Sequence, residues 1–121
     1  MSNGSIVWHD LTIDNADEVR DFYKSVIGWE HVDHDMGEYN DYVLHAADDE
    51  TAAGGVWHKR GTNAGMPSQW LMYVQVDSVA KSCEAVQRQG GTVVEGPRNM
   101  GDKPFAVIQD PAGATLAIIE A

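Results

Sequence analysis

Two short stretches carry side chains that could move a proton or hold a charged molecule. "SIVWHDLTID", residues 5 to 14, sets Trp8, His9 and Asp10 side by side, and "YVLHA", residues 42 to 46, contains His45. A carboxylate near an imidazole favours the protonated ring and fixes its orientation, which is a usable general acid/base arrangement. A tryptophan beside a carboxylate suits a different task, the stacking and charge pairing that hold a cationic organic molecule. Which task is open to these residues depends on the faces they occupy, and therefore on the elements that carry them.

The chain has 121 residues, 43% of them hydrophobic, enough for one core and a single domain spanning 1–121. Nineteen acidic against eight basic residues give a net charge of −11. Such a surface repels nucleic acid and anionic membranes, so neither is expected as a partner. It is compatible with attraction of a cationic ligand and equally with plain solubility. The start, "MSNGSIVW", lacks the basic and apolar regions of a signal peptide, and no apolar stretch approaches the length of a membrane span. The lone Cys83 cannot form an internal disulfide and falls among helix-forming residues, where a buried structural thiol is expected. These features predict a cytoplasmic protein.

"DNADEVRDFYKSVIGW", from Asp14, puts Ala16, Val19, Phe22, Tyr23 and Val26 at helical spacing, with Asp14 or Asn15 as cap and Gly28 as terminator. "DSVAKSCEAVQRQGG", from Asp77, repeats the pattern with Val79, Cys83 and Val86 and closes on Gly90 and Gly91. The step from Asp14 to Asp77 recurs unchanged from Gly28 to Gly91, from Tyr42 to Phe105 and from Ala47 to Asp110. A constant offset of this kind indicates duplication of one unit. Each unit reads as strand, helix and three strands: 6–13, the helix, 29–34, 40–46 and 52–58, then 70–76, the helix, 92–95, 105–109 and 114–120. "DPAG", 110–113, has the preferences of a type I turn, and "KRGTNAGMPSQ", 59–69, reads as the linker. The fold class is therefore α+β, with two βαβββ units at about 5–58 and 68–121.

Alternation assigns the faces. In the first strand Val7, His9, Leu11 and Ile13 form the more apolar set, and in its counterpart in the second half Trp70, Met72, Val74 and Val76 do so in the same phase. These sets are expected beneath the helices, with His9 as a packed or hydrogen-bonded histidine. Trp8, Asp10, Thr12, Leu71, Tyr73 and Gln75 are left on the other face, too aromatic for plain solvent and too polar for core, as in a ligand cleft. In "YVLHA" and "FAVIQ", Tyr42, Leu44, Phe105 and Val107 form the bulky core set, which turns Val43, His45, Ala106 and Ile108 toward the cleft. His31 and His34, at odd spacing on a strand, fall on opposite faces. His58 reads as a strand end.

The duplicated units, "DFYKSVIGW", the "GG" after the second helix and "DPAGATLAII" together resemble the vicinal oxygen chelate superfamily, which groups glyoxalase I, bleomycin- and fosfomycin-resistance proteins and extradiol dioxygenases. Trp8, His9, Asp10 and Leu11 look most like its small glyoxalase-like branch. The resemblance covers nearly the whole chain and implies a curved, mixed, mostly antiparallel sheet around a cleft, in a homodimer. Metal-dependent members draw His, Glu or Gln ligands from positions that fall here on Trp8, Gly54, Leu71 and Ala117. None of these binds a divalent ion through its side chain, so no metal and no other cofactor is expected.

Two functions compete. One is a metal-free protein that binds a small organic, possibly cationic, ligand through Trp8, Thr12, Leu71, Tyr73 and Gln75, with Asp10 as charge partner. The other is a metal-independent lyase or isomerase in which His45 and Asp10 act as acid and base. A metal-dependent glyoxalase or dioxygenase ranks below both.

Overall fold

Both helices form where strand alternation gives way to an apolar period of three to four residues. In the computed structural model, which describes residues 3–121, α1 spans Ala16–Ile27 and α2 spans Val79–Arg88. Asn15 occupies the N-cap of α1, its carbonyl accepting from the Val19 N–H at 3.1 Å while its side chain donates to Glu18 at 2.8 Å. Gly28 ends the helix at φ +89°, a left-handed conformation that only glycine adopts without strain, and donates to the Tyr23 and Lys24 carbonyls. At α2 the cap is Ser78, immediately after Asp77, and its hydroxyl accepts from the Lys81 N–H at 3.2 Å.

The strands are β1 (Ile6–Ile13), β2 (Glu30–Asp35), β3 (Asn40–His45), β4 (Ala52–His58), β5 (Trp70–Val76), β6 (Thr92–Met100), β7 (Lys103–Gln109) and β8 (Thr115–Glu120). They fall into two compact units, His9–Trp70 and Leu71–Ala121 with residues 3–8. In the first unit β1 pairs parallel with β4, and β4–β3 and β3–β2 are antiparallel. The second repeats this with β5, β8, β7 and β6. Counterpart elements start at Ala16 and Val79, Asn40 and Lys103, and Ala52 and Thr115, each pair at the offset read from the sequence. The fold is α+β with mixed, mostly antiparallel sheet. The turn at 110–113 closes through Gly113 N–H to Asp110 O at 2.9 Å.

Each helix covers one face of its own strands. Leu11, Ile13, Ala16, Tyr42, Leu44 and Val56 form the first core, packed against Val19, Tyr23, Trp29 and Trp70. Each large apolar side chain removed from water in this way contributes about 1.5–3 kcal/mol. His9 departs from expectation: it is exposed. The helix-side core takes in Leu11 and Ile13 but neither Val7 nor His9, because α1 covers only the last part of β1. Phe22 and Val26 on α1 are likewise exposed.

The second core, Val79, Cys83, Ala106 and Ile118 with Val76, Val93, Ile108 and Leu116, corrects a second expectation. Ala106 and Ile108 lie under α2, so Phe105 and Val107 face the other way. The reason is register. In the first unit Asp10 and Val43 both pair with Gly55, whereas in the second Tyr73 and Val107 both pair with Ala117. Against β8 the β7 strand keeps the register that β3 has against β4, Ala106 with Ile118 matching Val43 with Gly55 at the helices' offset. The slip lies between β5 and β8, where Tyr73 pairs with Ala117 and not with Ile118. A slip of a single position turns every side chain of a strand to the opposite face.

Candidate functional site

On the face of the first unit opposite α1, Asp10 and Val43 flank Gly55, and Thr12 flanks Trp57. Asp10 is 0% and Thr12 2% exposed. A carboxylate so deeply placed must be hydrogen-bonded to persist, and the Trp57 indole N–H donates to Asp10 Oδ2 at 2.6 Å. Gly55 makes that bond possible: a Cβ at this position would lie 2.4 Å from the Trp57 ring. The indole therefore lies over bare backbone to reach Asp10. The His34 ring stands 6.1 Å from the Trp57 ring on the same face. Half-buried Trp57 joins a flat aromatic surface to a buried acceptor, an arrangement suited to a planar or cationic molecule.

His45 follows Leu44 of the helix-side core, but strand alternation does not carry across to it. A register irregularity separates Leu44 from His45, which pairs with Ala52, further along β3 than Val43 and one strand away from Asp10. Its Nδ1 lies 2.7 Å from the Ala46 carbonyl. Trp57, on the strand between them, is a side chain brought onto Asp10. Of the remaining expected ligand residues, Leu71, Tyr73 and Gln75 are buried in the second unit. Phe105 joins them there, its ring 6.3 Å from that of Tyr73, with the Arg98 guanidinium 4.7 Å above it. Trp8 is half-buried.

A polar network lies on the helix side of the first unit. Buried Asp41 accepts from the His58 backbone N–H at 2.8 Å, with His58 Nδ1 at 3.1 Å. His58 Nε2 stands 3.5 Å from Asp17, and Asp17 also accepts from the Tyr42 hydroxyl. Arg20 sits 4.6 Å above the Tyr42 ring and holds the neighbouring Asp21 carboxyl below its usual range. Burial, then the bond to Asp17, pushes the Tyr42 phenol up to about 12. This hydroxyl keeps its proton near neutrality, and the contacts of Asp17 with Tyr42 and His58 fasten α1 to β3 and β4. His31 and His34 lie on opposite faces, one against Tyr42 and the other against Trp57.

Trp57, Asp41 and Asp17 were not among the residues singled out from sequence. The available signal for Trp57 was "GGVW": a glycine pair without side-chain bulk ahead of an aromatic, in phase with the gap.

Comparison with known proteins gives a consistent relationship. The model of the glyoxalase/bleomycin resistance protein/dioxygenase superfamily matches residues 5–118. CFP32 of Mycobacterium tuberculosis, provisionally named a glyoxylase, is 29% identical over 97% of this chain and 44% of its own length. The anthracycline biosynthesis protein DauV of Streptomyces sp. is 27% identical over 95% of this chain and 46% of its own length. The chain thus spans less than half the length of these relatives. A Streptomyces coelicolor methylmalonyl-CoA epimerase structure shares the fold, with a TM-score of 0.54, 14% identity and 99% of both chains covered.

The positions at which the resemblance puts metal ligands do not fit a metal. Trp8, Gly54, Leu71 and Ala117 offer no donor side chain. At Gly54 the backbone closes the position, because a Cβ there would lie 2.6 Å from the His9 carbonyl oxygen. Among the described residues no group of three or more His, Cys, Asp or Glu is placed to hold an ion, and no helix is long and apolar enough to cross a membrane.

Proposed function

Because the chain belongs to the glyoxalase/bleomycin resistance protein/dioxygenase superfamily, we propose that it binds a small organic molecule on the helix-opposite face of its first unit. The observation that carries this reading is the Trp57 indole held on buried Asp10 across Gly55. A carboxylate removed from water acts strongly on a nearby cation, and the indole face adds a stacking surface. The net charge of −11 favours a cationic ligand over an anionic one. Trp8, Thr12, Leu71, Tyr73 and Gln75 remain proposed ligand contacts within their own units. Relatedness to a protein of anthracycline biosynthesis makes planar polycyclic compounds the first to test.

Calorimetric titration with a cationic anthracycline and with its neutral aglycone tests this directly. The cationic compound is expected to bind at least about tenfold tighter, a difference of about 1.4 kcal/mol. Equal affinity, or no heat with either, overturns the reading.

His45 and Asp10, both carried by the sheet of the first unit, give a second reading, proton transfer by this pair on a bound substrate. Screening for turnover of carbonyl and thioester compounds, with Asp10→Asn and His45→Ala each abolishing it, would favour that reading over simple binding. A cytoplasmic homodimer belongs to either reading; the exposed Phe22, Val26 and Ile27 on α1 supply apolar surface for pairing, and a monomer in sedimentation velocity would refute it.

A further inference from the structure

We propose that the second unit holds a separate site for one small, neutral or cationic aromatic ring, in the cavity between α2 and the end of β7. The cavity measures about 320 Å³, at the lower end of the range of about 300–1,000 Å³ typical of small-molecule sites. Ala85, Val86, Ile108 and Pro111 supply apolar walls, and Gln109 and Asp110 stand beside them.

The first unit indicates what fits. Aligned on their first residues, Ala16 of α1 and Val79 of α2, the helices place Phe22 and Tyr23 at the positions of Ala85 and Val86. There the two rings meet edge to face with centroids 5.3 Å apart, and Tyr23 lies 5.5 Å from Trp29 and 5.7 Å from Trp70. The Trp70 indole N–H donates to the Tyr23 hydroxyl at 2.9 Å. Thr92 follows α2 where Trp29 follows α1. The second unit thus keeps the frame of an aromatic cluster and replaces its rings with small side chains, leaving open space against Ile108 and Pro111. A ring of ligand restores the packing that Tyr23, Trp29 and Trp70 supply in the first unit.

Charge selects among aromatic molecules. Asp110 Oδ1 accepts from the Ala112 and Ala114 N–H groups at 2.8 and 3.1 Å, which fixes its carboxylate beside the cavity. That carboxylate, on a protein of net charge −11, disfavours an anion.

The test is titration of the ¹⁵N-labelled full chain with benzyl alcohol, benzamidine and benzoate, followed by amide shifts. Benzyl alcohol and benzamidine should shift Ala85, Val86, Ile108 and Gln109 at concentrations on the order of millimolar, with benzoate at least about tenfold weaker. Val86→Tyr, which places in α2 the ring that packs at the matching position of α1, should abolish these shifts. Ala85→Leu should weaken binding and decides the matter if the larger residue prevents folding. No shifts at these amides, equal binding of benzoate, or undiminished binding by the folded variants would overturn the site. Because the readout lies in the second unit, its failure is distinct from failure of the Asp10–Trp57 reading.

Discussion

The two units share element order, strand pairing and helix placement, yet they place different chemistry on equivalent positions. Where the first unit has Asp10 beside Gly55, the second has Tyr73 beside Ala117. Where the first packs Tyr23 against Trp29 and Trp70, the second leaves a cavity at Val86. A duplicated frame is stabilised by its pairing pattern and by one apolar face per strand, and both copies retain these. The remaining face and the outer part of each helix are free to diverge, and there one copy gained a buried carboxylate while the other gained space.

That contrast can be broken most forcefully at the aromatic cluster. Trp70→Ala should cost about 3 kcal/mol in urea unfolding, the low end for a large aromatic because Trp70 is only half-buried. Val86→Ala, at the position matching Tyr23, should cost about 1 kcal/mol. Equal losses would mean that the rings do not pack as a unit.

A smaller effect separates the two central strands. Gly55→Ala should cost about 2 kcal/mol, because the new methyl displaces the Trp57 ring. The reciprocal change, Ala117→Gly, should cost only about 1 kcal/mol, mainly through backbone freedom. A neutral Gly55→Ala would show that the indole does not lie over this residue.

Next in size is Tyr42, whose sequence counterpart Phe105 has no hydroxyl. The fold favours the neutral phenol and raises it from 10.0 to about 12. Its contribution is therefore complete below pH 10 and is lost as pH rises toward 12. Tyr42→Phe should cost about 1 kcal/mol near neutrality and flatten the stability profile through that alkaline window. An unchanged profile would remove the phenol from the network. The smallest effect belongs to the exposed Lys24–Glu30 pair at 3.0 Å. Lys24→Ala should leave the unfolding midpoint within error, and a clear drop would show more coupling in the first unit than its geometry implies.

Local pattern made the frame legible. Ala16 and Val79 start the helices at the expected offset, and Leu11 and Ile13 fall in the helix-side core as their spacing predicts. Features set by pairing between distant strands were not legible. The slip that turns Phe105 and Val107 away from α2 depends on how β8, carrying β7 with it, aligns against β5, which no single strand records. Trp57 meets Asp10 only because β4 lies parallel to β1 with Gly55 opposite Asp10. Tyr42 is remote in sequence from Asp17, the carboxylate it bonds. His9 has the alternation of a core residue, and only the limited reach of α1 over β1 explains its exposure.

Recognition is assigned to Asp10 and Trp57 acting together. The most direct test is the affinity for a cationic anthracycline of the unaltered chain, Asp10→Asn, Trp57→Phe and the double variant, with Tyr42→Phe on the helix side as control. Each single change at the pair should weaken binding at least about tenfold, and the double change no more than about twofold further, as expected of two groups sharing one interaction. Undiminished affinity in the folded single variants, or an equal loss in Tyr42→Phe, would contradict it.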